Sequence, residues 1–439
     1  MIWHLVRYWI TFLIPVFYKR ISITNKERLA VNGPVLVAMN HPNAFTDPII
    51  IAYLCYPTRL KYMARGDAFK PGLITYFLEQ LGIVPIFRIQ DAGKEGLKKN
   101  EESYQRVYAF LKKDAKLIVF AEGLCVQERR LRPLKKGFAR LAFGAYEHTG
   151  NENLTVLPIG VNYSQPNQFR SDVLYRVGEP MPVKAYVAAY EQNPAKTTNQ
   201  FLKDLEGNLK PLITHINDKQ NDTAVLWMES LIKEEWLLRA GLSMKDLEDD
   251  FTITQKITET VNRNAASQPE LWQEFKTQAA QYFSFLKANA FDDYSLNPLR
   301  RKQATWIGFA CQALILFVFS PIYLMALLGN FLPLYLTDVL AKKANKQVEF
   351  YSSFAFAFGM VLFLVNYLIV YALAHLSTGN AFYSLSLCVL FILSAVAALG
   401  YHPYLQKTLL LYRLLRSPQK FTEASKQREK LITLINKMV

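Results

Sequence analysis

The chain has 439 residues, 51 Lys and Arg against 36 Asp and Glu, a net charge of +15 and 51% hydrophobic residues. That length exceeds one ordinary core, so two or three domains are expected. A basic excess of this size suits either nucleic acid or an anionic membrane. The cations cluster beside apolar runs, and no zinc-finger pattern or basic reading helix occurs, so the partner is a phospholipid membrane and not nucleic acid. Four scattered cysteines, Cys55, Cys125, Cys311 and Cys388, have no metal-ligand spacing. They predict neither a metal site nor a disulfide framework, which suits a reducing compartment.

Residues 1–20 form an apolar segment broken by Arg7 and closed by Lys19 and Arg20, with Trp3, Tyr8 and Trp9 beside Arg7. No small-residue cleavage site follows, so the segment reads as a helix lying in the membrane interface and not as a signal peptide. Residues 21–180 alternate short apolar strands with helical patterns. Val35–Met39, Leu117–Phe120 and Thr155–Gly160 read as buried strands, and Asp91–Lys113 as a charged helix. Such alternation predicts an α/β domain with a mostly parallel sheet flanked by helices, whose site gathers at the carboxyl ends of strands.

Pro180-Met181-Pro182 ends the strand-rich part. Residues 181–300 then read as a helical extension, with Ala224–Arg239 and Leu271–Lys287 as its clearest helices and core packing as the role of their apolar stripes. Two stretches, Ala304–Thr337 and Phe350–Gln406, lack Asp, Glu, Lys and Arg altogether. Each exceeds the roughly 20 residues that one helix needs to cross a bilayer, so C-terminal transmembrane helices are predicted. Basic residues flank them at Arg300–Lys302, at Lys342, Lys343 and Lys346, and at Lys407, Arg413 and Arg416. If all three segments face the cytoplasm, residues 301–405 form two membrane hairpins, the first turning near Gly329-Asn330. Residues 406–439 become a basic amphipathic cytoplasmic tail.

Chemistry concentrates where the predicted strands end. Val35–Met39 runs into Asn40-His41-Pro42-Asn43-Ala44-Phe45-Thr46-Asp47-Pro48. An imidazole can take the proton of an attacking hydroxyl while a carboxylate fixes its tautomer. Positions i and i+6 are not neighbours on a regular helix, so His41 must sit in a loop before the helix that carries Asp47. Alone, the pair reads as a surface loop histidine and an unrelated acid. Three further clusters follow. Leu81–Arg88 ends in an Arg whose fork can hold a phosphate, or pair with a surface acid. Phe120-Ala121-Glu122-Gly123 puts a carboxylate in the turn after a strand, and Arg129, Arg130, Arg132, Lys135 and Lys136 come after it. Val156–Gly160 is an apolar strand with Pro158 inside it.

In this order the clusters resemble the four blocks of the lysophospholipid acyltransferase superfamily, which includes glycerol-3-phosphate and 1-acylglycerol-3-phosphate acyltransferases. The blocks are a histidine–aspartate motif, a Gly-to-Arg block, an F-P-E-G block and a proline-containing strand. The resemblance covers about residues 30–180. It implies an acyltransferase with His41 as general base and Asp47 as its partner. Arg88 and the Glu122-Gly123 turn would bind the glycerol phosphate part of the acceptor, and Pro158 would shape the pocket. The spacing here is H-x5-D where H-x4-D is usual. It is similar to that of eukaryotic glycerol-3-phosphate and dihydroxyacetone-phosphate acyltransferases, whose H-x-N-x-x-x-D pattern adds Asn43 to the acceptor-binding set. Ala121 stands where the family usually has Pro.

The resemblance implies acyl transfer from acyl-CoA or acyl-carrier protein, as co-substrate and with no cofactor, to a glycerol-phosphate or lysolipid acceptor at the cytoplasmic face. No G-x-S-x-G elbow, P-loop or dinucleotide fingerprint competes. Two other readings stay open: a different lysolipid or amino-acid lipid acceptor, and a non-catalytic membrane scaffold of the same fold.

Overall fold

A computed structural model describes residues 2–69, 72–87, 89–297, 305–344 and 347–439, without the side chains of 2–7, 9, 68, 73, 74, 77 and 89–99. The chain divides into an N-terminal unit, Met1–His215 with Gln347–Ser353, and a C-terminal unit, Ile216–Lys346 with Phe354–Val439.

The N-terminal unit opens with helix α1 (Ile2–Phe17) and strand β1 (Arg20–Thr24). Next come β2 (Val35–Met39), α2 (Thr46–Leu54), β3 (Leu60–Arg65), α3 (Leu73–Gln80) and β4 (Ile83–Ile86). Helix α4 (Ile89–Leu111), β5 (Lys116–Phe120), α5 (Lys136–Thr149), β6 (Thr155–Tyr163), β7 (Asp172–Val177) and β8 (Met181–Pro182) complete the sheet. Its order is β1-β7-β6-β2-β5-β3-β4, with β8 on β6. Every pair among β6, β2, β5, β3 and β4 is parallel, whereas β7 and β8 run antiparallel to β6. Strand β2 lies at the centre and all five of its residues are buried, as a Val/Leu-rich run covered on both faces must be. The expected fold class holds, and β2, β5 and β6 are the strands read from sequence.

The unit continues past residue 180. Met181–Pro182 pairs with Val156 and Thr155 of β6. Helices α6 (Lys184–Gln192) and α7 (Pro194–Leu209) then close the core, where Phe201, Leu205 and Leu209 join Phe138 and Phe143 of α5. The boundary expected at 180 therefore moves to 215, because the apolar stripe of α7 is needed to cover the sheet.

On α1, Ile14 is buried while Tyr8, Phe12 and Val16, one turn apart on one face, are exposed. The side chains of Trp3, Arg7 and Trp9 lie outside the described residues. Arg170 closes the helix, its Nη1 donating to the Pro15 carbonyl at 2.9 Å.

The C-terminal unit holds α8 (Asp222–Arg239), α9 (Leu247–Ser267), α10 (Pro269–Ala288) and the single turn α11 (Asp293–Leu296). Three long helices follow: α12 (Trp306–Ala344), α13 (Tyr351–Thr378) and α14 (Ala381–Arg416). All three are long and apolar enough to cross a membrane. Leu328, Phe317, Leu376 and Phe382 stand out from them into the surroundings, an apolar exposure that lipid would cover. The last helix, α15 (Pro418–Met438), is no free tail. Leu431, Ile435 and Met438 share a core with α8, α9 and α10, and Arg428 Nε meets the buried Asp293 Oδ1 at 2.9 Å. Tyr282 also donates to that carboxylate, at 2.6 Å. Residues 406–439 therefore belong to the helical core. The amphipathic pattern read as a tail is the stripe that packs there.

The first expected hairpin is not formed. Residues 306–344 make one helix of 39 residues, about 58 Å long at 1.5 Å per residue, well beyond the roughly 30 Å hydrocarbon core. Gly329-Asn330 is a packing site and not a turn. A Cβ at Gly329 would fall 2.4 Å from the Phe391 ring of α14. Asn330 is buried, donates to the Ala326 and Phe391 carbonyls and accepts from Tyr367 at 2.6 Å. Such polar contacts join helices in an apolar medium. Helix α12 runs antiparallel to α14, with Trp306 against Tyr412 at one end and Leu316 O accepting from Tyr401 further along. Lys342 and Lys343 thus close the end of α12 opposite Trp306. Arg300–Lys302 and Lys346 lie outside the described residues.

A continuous α12 makes position 331 a mid-helix site. In a chain with its native cysteines changed to serine, Phe331→Cys is expected to resist an impermeant maleimide added to either face of sealed vesicles. Labelling as fast as a loop residue would restore the turn.

Candidate active site

Residues that leave the carboxyl ends of β2, β5 and β6 converge. At the end of β2, Asn40 replaces the sheet's backbone pairing with its side chain: Nδ2 donates to Val161 O at 3.0 Å and Oδ1 accepts from Val161 N at 2.7 Å. That clamp sets the exit of the next residue, His41. Its carbonyl accepts from Val126 N, and its ring lies on Phe120, the last residue of β5, with centroids 3.6 Å apart and planes 12° apart.

The chain then loops into α2, which brings Asp47 back to the edge of the imidazole. His41 Nδ1 and Asp47 Oδ2 are 2.8 Å apart. Asn43 N donates to the same oxygen at 2.8 Å and Tyr163, ending β6, donates to Oδ1 at 2.6 Å. The Asp47 carbonyl accepts from Tyr175. Asp47 is 0% exposed. Burial raises its carboxyl above the usual range, while the contact with His41, the Tyr163 hydroxyl and the Asn43 amide pull it back. With Nδ1 committed to Asp47, Nε2 is the nitrogen left to accept a proton.

Glu122 follows β5 in a turn that Gly123 makes at φ 67°. Ala121 N donates to Met39 O, a bond that proline in this place could not make. Glu122 is buried and Oε1 accepts from Arg132 N at 3.0 Å. Burial raises its carboxyl from 4.5 to about 7, against the amides of Arg132 and His41 and the charge of Arg132. Of the basic run, Arg130 and Arg132 both reach Glu128, at 3.4 and 3.1 Å, and Arg129 reaches the Ser164 carbonyl.

The structure thus brings His41, Asp47, Asn43, Glu122 and Gly123 to one edge of the sheet. Asn43 is buried and uses Nδ2 on the Pro166 carbonyl at 3.0 Å. Pro158 sits deeper, inside β6 opposite Ala38, with its ring beside Gly178. Arg88 lies outside the described residues. Tyr163, Tyr175, Phe120 and Asn40 were missed. Of these, Asn40 and Tyr163 left a signal, a polar residue just past a buried apolar strand.

Residues 20–162 match the family model described as Acyltransferase. That stretch of the N-terminal unit is similar to acyltransferase-family domains. Its relatives include two proteins of Saccharomyces cerevisiae. Glycerol-3-phosphate O-acyltransferase 2 is 32% identical over 111 residues, 25% of this chain and 15% of the relative. Glycerol-3-phosphate O-acyltransferase 1 is 26% identical over 134 residues, 30% of this chain and 18% of the relative. The chain thus spans under a fifth of the length of these yeast proteins. Among solved structures, the 1-acyl-sn-glycerophosphate (LPA) acyltransferase PlsC of Thermotoga maritima superposes with a TM-score of 0.31 at 18% identity, over 44% of this chain and 73% of that one.

The N-terminal unit should become less stable as Glu122 ionises. A carboxyl raised from 4.5 to about 7 contributes stability that is intact below pH 4.5 and lost as pH rises through about 7. Glu122→Gln keeps an acceptor for Arg132 N and cannot ionise. Its melting temperature relative to the wild type should therefore rise between pH 5 and pH 8, in melts read at fixed salt. A parallel course would show that Glu122 does not titrate in that window.

Proposed function

We propose that the protein is a membrane-bound O-acyltransferase that moves a fatty acyl group from acyl-CoA or acyl-carrier protein to a hydroxyl of glycerol-3-phosphate or 1-acylglycerol-3-phosphate. The observation that carries the reading is the 2.8 Å His41–Asp47 pair at the carboxyl edge of the central strands of a domain similar to acyltransferase-family domains. The two yeast relatives' names add weight to the phosphate-bearing acceptor.

His41 Nε2 takes the proton of the acceptor hydroxyl as its oxygen attacks the thioester carbonyl. Asp47 holds the ring through Nδ1 and stabilises the imidazolium. Collapse of the tetrahedral intermediate breaks the C–S bond, and the thiolate recovers the proton from Nε2. Stacking on Phe120 keeps the ring from turning between the two transfers. Arg88 and the cations from 129 to 136 are the candidates for the acceptor's phosphate. A Glu122 carboxyl that is part neutral near pH 7 repels that phosphate less than a full charge would. The exposed face of α1 and the three apolar helices hold the enzyme at the bilayer, with the catalytic unit on the cytoplasmic side.

His41→Ala is expected to lower turnover by about 10²–10⁴-fold while expression and membrane association persist. The assay is transfer of labelled acyl-CoA to glycerol-3-phosphate, with the lipid product identified. Near-normal turnover would remove His41 from the reaction. Arg88→Lys should raise the acceptor KM far more than the donor KM, because an ammonium cannot reproduce the guanidinium fork. An unchanged acceptor KM would move phosphate binding to the 129–136 run.

A further inference from the structure

Helix α2 carries Asp47 in its first turn, yet the residue at its N-cap is Phe45, whose side chain has no oxygen to cap with. The missing acceptor comes from the far end of the sequence. Ser353 Oγ accepts from Phe45 N at 2.9 Å and from Thr46 N at 3.3 Å, and Ser353 is buried. The residue belongs to Gln347–Ser353, the stretch that returns to the N-terminal unit between α12 and α13, and it lies in the first turn of α13.

The rest of that stretch grips the same loops. Ser352 Oγ donates to the Pro166 carbonyl at 2.6 Å, the oxygen to which Asn43 Nδ2 also donates. Phe350 meets Phe45 edge to face, with centroids 5.8 Å apart. Around it, every amide from Asn43 to Asp47 is accounted for. Asn43 N goes to Asp47 Oδ2, Ala44 N to Cys125 Sγ, Phe45 N and Thr46 N to Ser353, and Asp47 N to Asn43 O. Removing the Ser353 oxygen strands two N–H groups within two residues of Asp47, the one on Thr46 buried.

The structure assigns Ser353 the role of a positioning residue for the His41–Asp47 pair, a distal N-cap supplied by the start of an apolar helix. Ser353 touches no reacting atom. It fixes the first turn of α2 and through it the carboxylate that orients His41. The inference rests on the His41–Asp47 mechanism above, and it deepens that mechanism by making the start of α13 part of the active-site scaffold.

The test compares full-length wild type, Ser353→Ala, Ser353→Thr and His41→Ala in the acyl-CoA and glycerol-3-phosphate assay. Ser353→Ala should lower kcat on the order of ten- to a hundred-fold, the scale of a misplaced catalytic group. Both KM values should stay within about two-fold, because no substrate contact is removed. Ser353→Thr keeps the oxygen and should restore most of kcat. Should the alanine variant not fold, Ser353→Cys, with a weaker acceptor in a similar volume, should show a graded kcat loss. A wild-type kcat in Ser353→Ala, or a loss that Ser353→Thr does not restore, overturns the inference. If His41→Ala is inactive while Ser353→Ala is fully active, the distal cap alone fails. An active His41→Ala instead removes the mechanism beneath it.

Discussion

A carboxylate with no exposed surface is expensive to place, and the carboxyl edge of this sheet is organised around placing one. Asp47 collects His41 Nδ1, the Asn43 amide and the Tyr163 hydroxyl on its two oxygens. Two of these donors sit in the loop before α2 and the third ends β6, and each imposes a condition. Tyr163 requires β6 to lie beside β2 and to end level with it. The Asn43 amide requires the loop to fold back on the first turn of α2. His41 requires Asn40 to leave the sheet in a fixed direction, which its two bonds to Val161 provide. Losing any one donor would leave charge buried without compensation, so one arrangement of the loop is favoured over others.

The chemistry was legible in the sequence wherever its parts are close along the chain. His41 and Asp47 are six residues apart, too far to meet along a regular helix, and they meet through the loop before α2. Glu122-Gly123 could be read because a strand and a tight turn are local features. The residues that perfect the site are remote from it in sequence: Tyr163 reaches Asp47 across 116 residues and Ser353 reaches Phe45 across 308. No periodicity or spacing announces such contacts, since they depend on which strands pair and where the chain returns.

The errors share a cause as well. Pro180 and Pro182 look like the end of a domain, and Gly329-Asn330 looks like the tip of a hairpin, because these residues often serve that way. Both places are instead defined by packing. Residue 182 lies on the edge strand that pairs with β6, and α7 beyond it covers the core. Gly329 makes room for Phe391, and Asn330 satisfies its amide inside the helix cluster. In the tail, the same apolar stripe that suggests an amphipathic surface helix is buried against α8, α9 and α10, with Arg428 held by Asp293. Amphipathicity reveals that one face wants cover and says nothing about whether lipid or protein supplies it.

The three central strands divide the work. Strand β2 delivers His41, β5 delivers the Phe120 ring beneath it and the Glu122 turn beside it, and β6 delivers Tyr163 to the carboxylate. Neighbouring strands in a parallel sheet are fixed by a ladder of backbone bonds, so side chains at their carboxyl ends hold their spacing better than residues on independent loops. The loop into α2 has no such ladder. It is held instead by side-chain hydrogen bonds, including two that come from Ser353 at the start of an apolar helix.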